Sequence, residues 1–336
     1  MMRSTQSRAE PRATKRSRAP AFTVGFYLLP QFPMLAFASA IEPLRAANRL
    51  SGERLFEWLL ASEDGRPVKA SNGIEVSVHA ACGDDIGVNL LLACSGSRSE
   101  RDAASSKWLR HLARKGAALG GVSLGPYVLA HAGLLDGRRC TLHWESLAAF
   151  ADRFPRTRTT AEIYVIDGDR YTCSGGTSGL DMMLALITEH AGRPLATAVS
   201  EQFIHPRIRG THDPQRMAVQ SRLGVANPRL IEAISLMETP HDDAKAVAHI
   251  AAEVGLSARQ LERLFARYLA TSPSHYYLGV RLQRARTLLQ QTPRPILDVA
   301  VACGFASASH FSRCYRAAFG HRPSEERTAI LSPSGA

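Results

Sequence analysis

The sequence is short of what a metal site or a disulfide framework needs. Its six cysteines, Cys82, Cys94, Cys140, Cys173, Cys303 and Cys314, are scattered over 336 residues with no C-x-x-C pair and no Cys/His cluster at zinc spacing. They read as reduced thiols of a cytosolic protein, and no residue pattern asks for a metal or an organic cofactor. No uninterrupted apolar stretch is long enough to span a bilayer. One segment imitates a signal peptide: a basic stretch, the apolar run 21–36, then Ala38-Ser39-Ala40. Pro30 and Pro33 interrupt that run, and Phe22–Leu29 makes better sense as a buried first strand. Acidic charge is also in deficit: 41 Lys and Arg against 30 Asp and Glu leave a net +11, which suits a polyanionic partner. Part of the excess lies in residues 1–20, where Arg3, Arg8, Arg12, Lys15, Arg16 and Arg18 face only Glu10. That stretch is poor in large apolar residues and is expected to be a disordered arm, with at most weak attraction to DNA phosphates.

What is present falls into two halves. From Phe22 to about Phe203, strand-like and helix-like segments alternate. The strand candidates are Phe22–Leu29, Phe56–Ala61, Val88–Ala93, Ala117–Val122, Ile163–Asp167 and Tyr171–Cys173. The helical stretches are Ala36–Leu50, Lys107–Arg114, Tyr127–Ala132, Glu145–Phe150, Leu180–Glu189 and Leu195–Ile204. Such alternation predicts an α/β domain, a flavodoxin-like sandwich with a largely parallel sheet covered on both faces. Residues 205–226 are polar and basic and read as a linker. From Asn227 the pattern is helical throughout, which predicts an all-α C-terminal domain over 227–328 and a tail over 329–336.

The helical half contains one local pattern twice. The first copy is Ile250-Ala251-Ala252-Glu253-Val254-Gly255-Leu256-Ser257, followed by Leu261, Arg263 and Phe265. The second is Val299-Ala300-Val301-Ala302-Cys303-Gly304-Phe305, followed by Phe311, Arg313 and Tyr315, with one more residue between its glycine and the next apolar anchor. Each reads as a helix, a glycine turn and a second helix, so the chain is expected to carry two helix-turn-helix units. In the first unit a scaffold helix is expected from about Asp243 to Val254. Ser257 then caps a recognition helix that buries Leu261, Leu264, Phe265 and Tyr268 and presents Arg259, Gln260, Arg263 and Arg267. Arginine can grip guanine, and glutamine adenine, through two hydrogen bonds. In the second unit Ser307 caps the helix, with Phe311, Tyr315 and Phe319 inward. Ser309, His310, Ser312, Arg313 and Arg316 face the groove or the backbone. Arg313 is its strongest base-contact candidate, and the small hydroxyl residues should make this unit less stringent. A connecting helix from Ser272 and Pro273 to about Gln291 would span roughly 28 Å, against about 34 Å between successive major grooves on one face of DNA. Arg281, Arg284, Arg286 and Arg294 are candidates for phosphate contacts or for solvated positions.

These stretches, 246–271, 276–289 and 296–323, resemble the AraC/XylS family of transcription regulators. The resemblance implies a two-unit domain for double-stranded DNA, attached to a part that senses a small molecule or mediates dimerisation. It also implies activation through contact with RNA polymerase.

In the α/β half, Gly121-Val122-Ser123-Leu124-Gly125 matches G-x-S-x-G, the nucleophile elbow of hydrolases. A Ser123-dependent hydrolase or amidase is therefore the alternative reading, but no spacing among the histidines and aspartates that follow singles out a triad. The segments Ser123-Leu124-Gly125, 129–139, Thr141-Leu142-His143-Trp144 and Thr172-Cys173-Ser174-Gly175-Gly176-Thr177 resemble the ThiJ/PfpI branch of the class I glutamine amidotransferase-like superfamily. Catalytic members of that branch carry cysteine at the elbow, where this chain has Ser123, and no clear acidic partner stands on the first strand. The pairing of the two halves resembles the arginine- and glycine-betaine-responsive branch of AraC-type activators. That implies sensing of a small nitrogenous metabolite, such as an amino acid or betaine, and control of catabolic genes; a homodimer in the cytoplasm is expected. Ser123, His143 and Trp144 are the candidate ligand residues: a hydroxyl, a ring nitrogen and an aromatic face for a cationic group.

Overall fold

The computed structural model describes residues 21–97, 102–239, 245–292 and 294–326. The arm expected over 1–20 and the tail over 329–336 lie outside the described residues.

Seven strands form one sheet: β1 (Phe22–Leu28), β2 (Phe56–Ser62), β3 (Ala80–Ala81), β4 (Leu90–Ser95), β5 (Ala118–Ser123), β6 (Tyr164–Asp167) and β7 (Arg170–Cys173). Their spatial order is β6-β7-β5-β4-β1-β2-β3. Every neighbouring pair is parallel except the β6–β7 hairpin. The period-2 alternation of strands divides the central residues between two cores. Val24, Phe26, Leu28, Leu90 and Leu92 pack beneath α1 (Met34–Ser51), α5 (Ser178–Ala191) and α6 (Arg193–Gln202). Tyr27, Leu91 and Ala93 pack beneath α2 (Ala103–Arg114), α3 (Pro126–His131) and α4 (Leu147–Arg153). Both faces of the sheet are therefore covered, as the near-continuous apolar strands require.

Two expectations shift here. Helix α2 starts at Ala103 rather than Lys107, because the Asp102 carboxylate accepts from the Ala104 and Ser105 amides and caps a stretch with no apolar periodicity. The helix expected over Glu145–Phe150 is a 3-10 turn, Trp144–Ser146, leading into α4. Three further pieces of pairing, Val68–Lys69 with Glu75–Val76, Arg139–Cys140 with Arg158–Thr159, and β3 itself, involve strands of two residues, too short to leave a periodic signature.

The C-terminal region is helical throughout: α7 (Val219–Leu223), α8 (Pro228–Glu238), α9 (Val247–Glu253), α10 (Ala258–Leu269), α11 (Pro273–Gln291), α12 (Ile296–Ala302) and α13 (Ala308–Phe319). Asn227 caps α8 by accepting from the Leu230 amide, and Ser272 caps α11 by accepting from the His275 amide. The scaffold helix begins at Val247, with Ala246 extended in front of it, and the start expected near Asp243 lies outside the described residues. The helical region has two separate cores. One gathers Leu230, Ile234, Ile250, Leu261 and Phe265; the other gathers Leu282, Leu289, Val299, Phe311 and Tyr315.

Residues 205–226, expected as a polar linker, are instead built into both halves. Asp181, fully buried on α5, accepts from the Arg209 amide (2.7 Å) and guanidinium (2.7 Å) and lies 3.0 Å from His205 Nε2. Gln215 Nε2 donates to Thr141 Oγ1 and to the carbonyls of Leu142 and Glu162. Beyond it, Val219, Leu223 and Val225 pack into the first helical core. Part of the polarity of this segment serves part-buried hydrogen bonds, which composition alone cannot separate from solvation.

Among the described residues no helix is long and apolar enough to cross a membrane, and no group of three or more His, Cys, Asp or Glu could hold a metal ion.

Candidate nucleic-acid interface and effector site

The two helix-turn-helix units share their turn down to individual hydrogen bonds. Gly255 (φ 69°) and Gly304 (φ 71°) take the left-handed conformation. The Leu256 amide donates back to the Ala251 carbonyl at 2.8 Å, and the Phe305 amide to the Ala300 carbonyl at 2.9 Å. The glycine amides donate to Ala252 and Val301. This is the Schellman ending in both copies, and it directs the chain into the next helix at a fixed angle. The extra residue of the second unit follows the turn and precedes the cap. From the capping serines onward the register is equal again: Arg263 and Arg313 each lie six residues beyond Ser257 and Ser307.

Arg259, Gln260, Arg263 and Arg267 are all exposed on α10, as are Ser307, Ser309, His310, Arg313 and Arg316 at α13, while Ser312 is half-buried. Beside each recognition helix lies a concave surface. The first, about 450 Å³, is lined by Asn227, Arg229, Gln260, Arg263 and Arg267. The second, about 240 Å³, is lined by Ser312, Arg313, Arg316, Arg322 and Pro323. Arg229 and Arg322 join these surfaces although sequence reasoning passed over them. Arg229 stands at the start of α8, outside the repeat, and its guanidinium reaches the Gly255 carbonyl at 3.0 Å.

Several expected roles change. The Gln260 side-chain oxygen accepts from the Ser257 amide at 2.8 Å and completes a capping box. That bond engages the amide oxygen, one of the two groups an adenine contact would use. Tyr268, expected inward, is 38% exposed at the end of α10 with the Arg267 guanidinium over its ring. Of the arginines expected at phosphates or at solvated positions, Arg281 donates to the carbonyls of Cys303 and Gly304 and stacks 4.3 Å above Phe305, pinning the second turn to α11. Arg286 pairs with Glu326 (3.1 Å) and covers Phe319. Arg294 pairs with Asp152 on α4, across to the α/β half. These side chains are spent within the protein because their partners, distant in sequence, fold alongside them.

The elbow is as sharp as its motif predicts. Ser123 adopts φ 60° and is nearly buried. A Cβ on Gly121 would come within 2.4 Å of the Pro126 nitrogen, and one on Gly125 within 1.9 Å of the Ala93 carbonyl oxygen. The glycines are thus required for β5 to feed α3 at close quarters, whatever the serine does. His143 is tied to the elbow through its backbone, its amide donating to the Ser123 carbonyl at 3.3 Å. Its ring lies 5.6 Å from that of Trp144, with Glu145 3.8 Å from Nδ1. Among the described residues no imidazole hydrogen-bonds the Ser123 hydroxyl. Cys173, behind the elbow, is fully buried, and burial pushes its thiol up to about 11. Trp144 is 40% exposed, but its ring face is not open: the Arg216 guanidinium lies over it, 4.7 Å from the centroid.

Comparison with known proteins agrees with both halves. Residues 250–329 match the helix-turn-helix domain family, and residues 34–189 match the DJ-1/PfpI family. The chain is 45% identical over 307 residues to the HTH-type transcriptional regulator GbdR of Pseudomonas aeruginosa, covering 91% of this chain and 84% of that one. It is likewise 45% identical to the HTH-type transcriptional regulator CdhR of the same species, covering 91% of each. A crystal structure of an AraC family transcriptional regulator from Pseudomonas putida aligns with 54% of this chain and 99% of that one, at 30% identity and a TM-score of 0.49. The shared turns, the capped reading helices and similarity running through nine-tenths of the chain lead to one conclusion: the protein belongs to the AraC family of HTH-type transcriptional regulators, in the group whose N-terminal half is a DJ-1/PfpI-like α/β domain.

Proposed function

We propose that residues 21–204 bind a small effector and mediate homodimerisation, and that residues 227–328 respond by engaging a promoter and RNA polymerase. In this reading the protein acts in the cytoplasm as an activator of amino-acid or quaternary-amine catabolic genes. One observation carries the DNA-reading half: two Schellman-turned, serine-capped helices expose an arginine at the same register, Arg263 and Arg313. The effector half rests on the Ser123 elbow, to whose carbonyl the His143 amide donates, and among the described residues no imidazole hydrogen-bonds the Ser123 hydroxyl.

Footprinting of the full chain on candidate promoters, with and without amino acids and betaines, tests the reading. Arg263→Ala should cost about 1–3 kcal/mol at a single base position and relax preference there. Unchanged affinity and an unchanged footprint would refute that assignment. Turnover of simple esters or amides, lost on Ser123→Ala, would instead favour the hydrolase reading.

A further inference from the structure

An unbroken set of contacts leads from the sensor to the first reading head. Arg216, in the segment between the halves, lays its guanidinium on Trp144 of the α/β half. Its Nη1 lies 3.3 Å from Glu238 at the end of α8. Glu238 accepts from Arg222 at 2.5 Å and from the Tyr276 hydroxyl at 2.6 Å. Tyr276 stands edge-on to Phe265, ring centroids 5.5 Å apart, and Phe265 is the fully buried anchor of recognition helix α10.

Arg216 is the weak member of this set. It has one long ion pair, one ring contact and a side chain 38% exposed, whereas Arg222 is held closer to the same carboxylate and is less exposed. The Trp144 face has already accepted a planar organic cation, so its chemistry is declared by its occupant. A ligand cation placed over that ring would make the same electrostatic contact with the indole quadrupole. The two cannot be there together.

We propose that Trp144 is the cation seat of the effector site and that Arg216 occupies it while no effector is bound. An effector bearing a guanidinium or quaternary ammonium group binds by displacing Arg216, which frees the segment joining the sensor to Glu238 and so loosens the hold on α8 and α11. This rests on the reading of the Ser123, His143 and Trp144 region as the effector site. It adds that the apo protein carries its own competitor, whose removal should raise apparent affinity.

The test is calorimetric titration of the full chain with glycine betaine, with L-arginine, and with 3,3-dimethylbutanoate, which replaces the ammonium nitrogen of betaine by carbon. The native protein should bind at least one of the two cations and not the carbon isostere. Arg216→Gln removes the cation but keeps a hydrogen-bonding group near Glu238, and should tighten cation binding about two- to fivefold. Arg216→Lys, which keeps a charge with a poorer ring contact, should fall between. Trp144→Leu should weaken binding at least about tenfold. Hydrogen exchange over 219–239 should rise when ligand is added to the native protein and should already be raised in Arg216→Gln. Native-like melting of each variant is checked first, with Arg216→Lys standing in if Arg216→Gln does not fold. The idea is overturned by unchanged or weaker binding when Arg216 is replaced, by full binding in Trp144→Leu, by equal binding of the isostere, or by no binding of either cation. The joint Ser123→Ala/His143→Ala variant separates the two levels. If it abolishes binding while Arg216→Gln changes nothing, the effector site stands and displacement falls. If it and Trp144→Leu both bind normally, the effector-site reading itself falls.

Discussion

The two reading heads are built on the same device and wired differently. Each rests on a glutamate largely removed from solvent that takes a tyrosine hydroxyl: Glu238 with Tyr276 at 2.6 Å, Glu326 with Tyr315 at 2.7 Å. The remaining partners of Glu326 are Gln290 (2.6 Å), Arg286 (3.1 Å) and His321 (3.0 Å), all within the second unit and its connecting helix. The remaining partners of Glu238 are Arg222 and Arg216, and Arg216 lies on the sensor. The second head meets the α/β half through Arg294 and Asp152, a pair about one-third exposed on both sides, and such pairs contribute at most about 1 kcal/mol. The two pairs come from different positions of the repeat, since Tyr276 lies 19 residues beyond Ser257 and Tyr315 eight beyond Ser307; one closes on its own unit and the other reaches the α/β half. The same carboxylate–tyrosine chemistry serves within one unit in the first case and links two regions in the second.

The largest test of that contrast hollows out one head. Phe311 is fully buried in a core separate from that of the first unit. Phe311→Ala should cost about 3–5 kcal/mol, with hydrogen-exchange protection lost over 296–319 and kept over 247–269. Equal loss in both stretches would show a single cooperative core and erase the distinction.

Acid provides a smaller probe. Burial raises the Glu326 carboxyl, but hydrogen bonds from Tyr315, Gln290 and Arg286 outweigh it and hold the group below its ordinary 4.5. A depressed carboxyl stabilises the folded state above that ordinary value, and the contribution drains away as pH falls through the folded one. The second unit should therefore lose stability on acidification below 4.5, and Glu326→Gln should flatten that acid limb in melting curves. An acid limb of full depth in the variant would place the titration elsewhere.

The finest difference is at the helix ends. Helix α10 ends on Ala270 in the left-handed region (φ 52°), whereas α13 ends on Gly320 (φ 81°). A side chain in that conformation costs on the order of 1 kcal/mol. Ala270→Gly should stabilise the first head by up to about 1 kcal/mol in urea denaturation, and Gly320→Ala, with open space around its Cβ, should do the reverse. The opposite sign at either site would mean that the loop beyond the helix, not the backbone angle, sets the stability.

Much of the fold was legible because its signals are local. The connecting helix falls where Ser272, Pro273 and the spacing of its apolar residues predict, over Pro273–Gln291. The elbow follows from three glycine and serine positions, and the repeat discloses both turns. Legibility failed where a side chain had two possible employers. Gln260, expected as a base reader, is also a capping partner, since both uses ask for an exposed amide in the first turn of a helix. Arg281, read as a phosphate contact or a solvated position, instead closes the carbonyl end of α12. Trp144 looked like an open aromatic face and is covered by a residue 72 positions later in the sequence.

The sequence by itself determined the elements, their caps and turns, the division into an α/β half and a helical half, and the family, because helix and strand periods and turn chemistry are written within a few neighbouring residues. Only the tertiary structure decided which charges stay exposed and which are consumed within the protein. Arg294 meets Asp152 across 142 positions, and Arg216 reaches both Trp144 and Glu238. Such pairings depend on where distant backbone segments come to rest, and a guanidinium carries no local mark of the partner it will find.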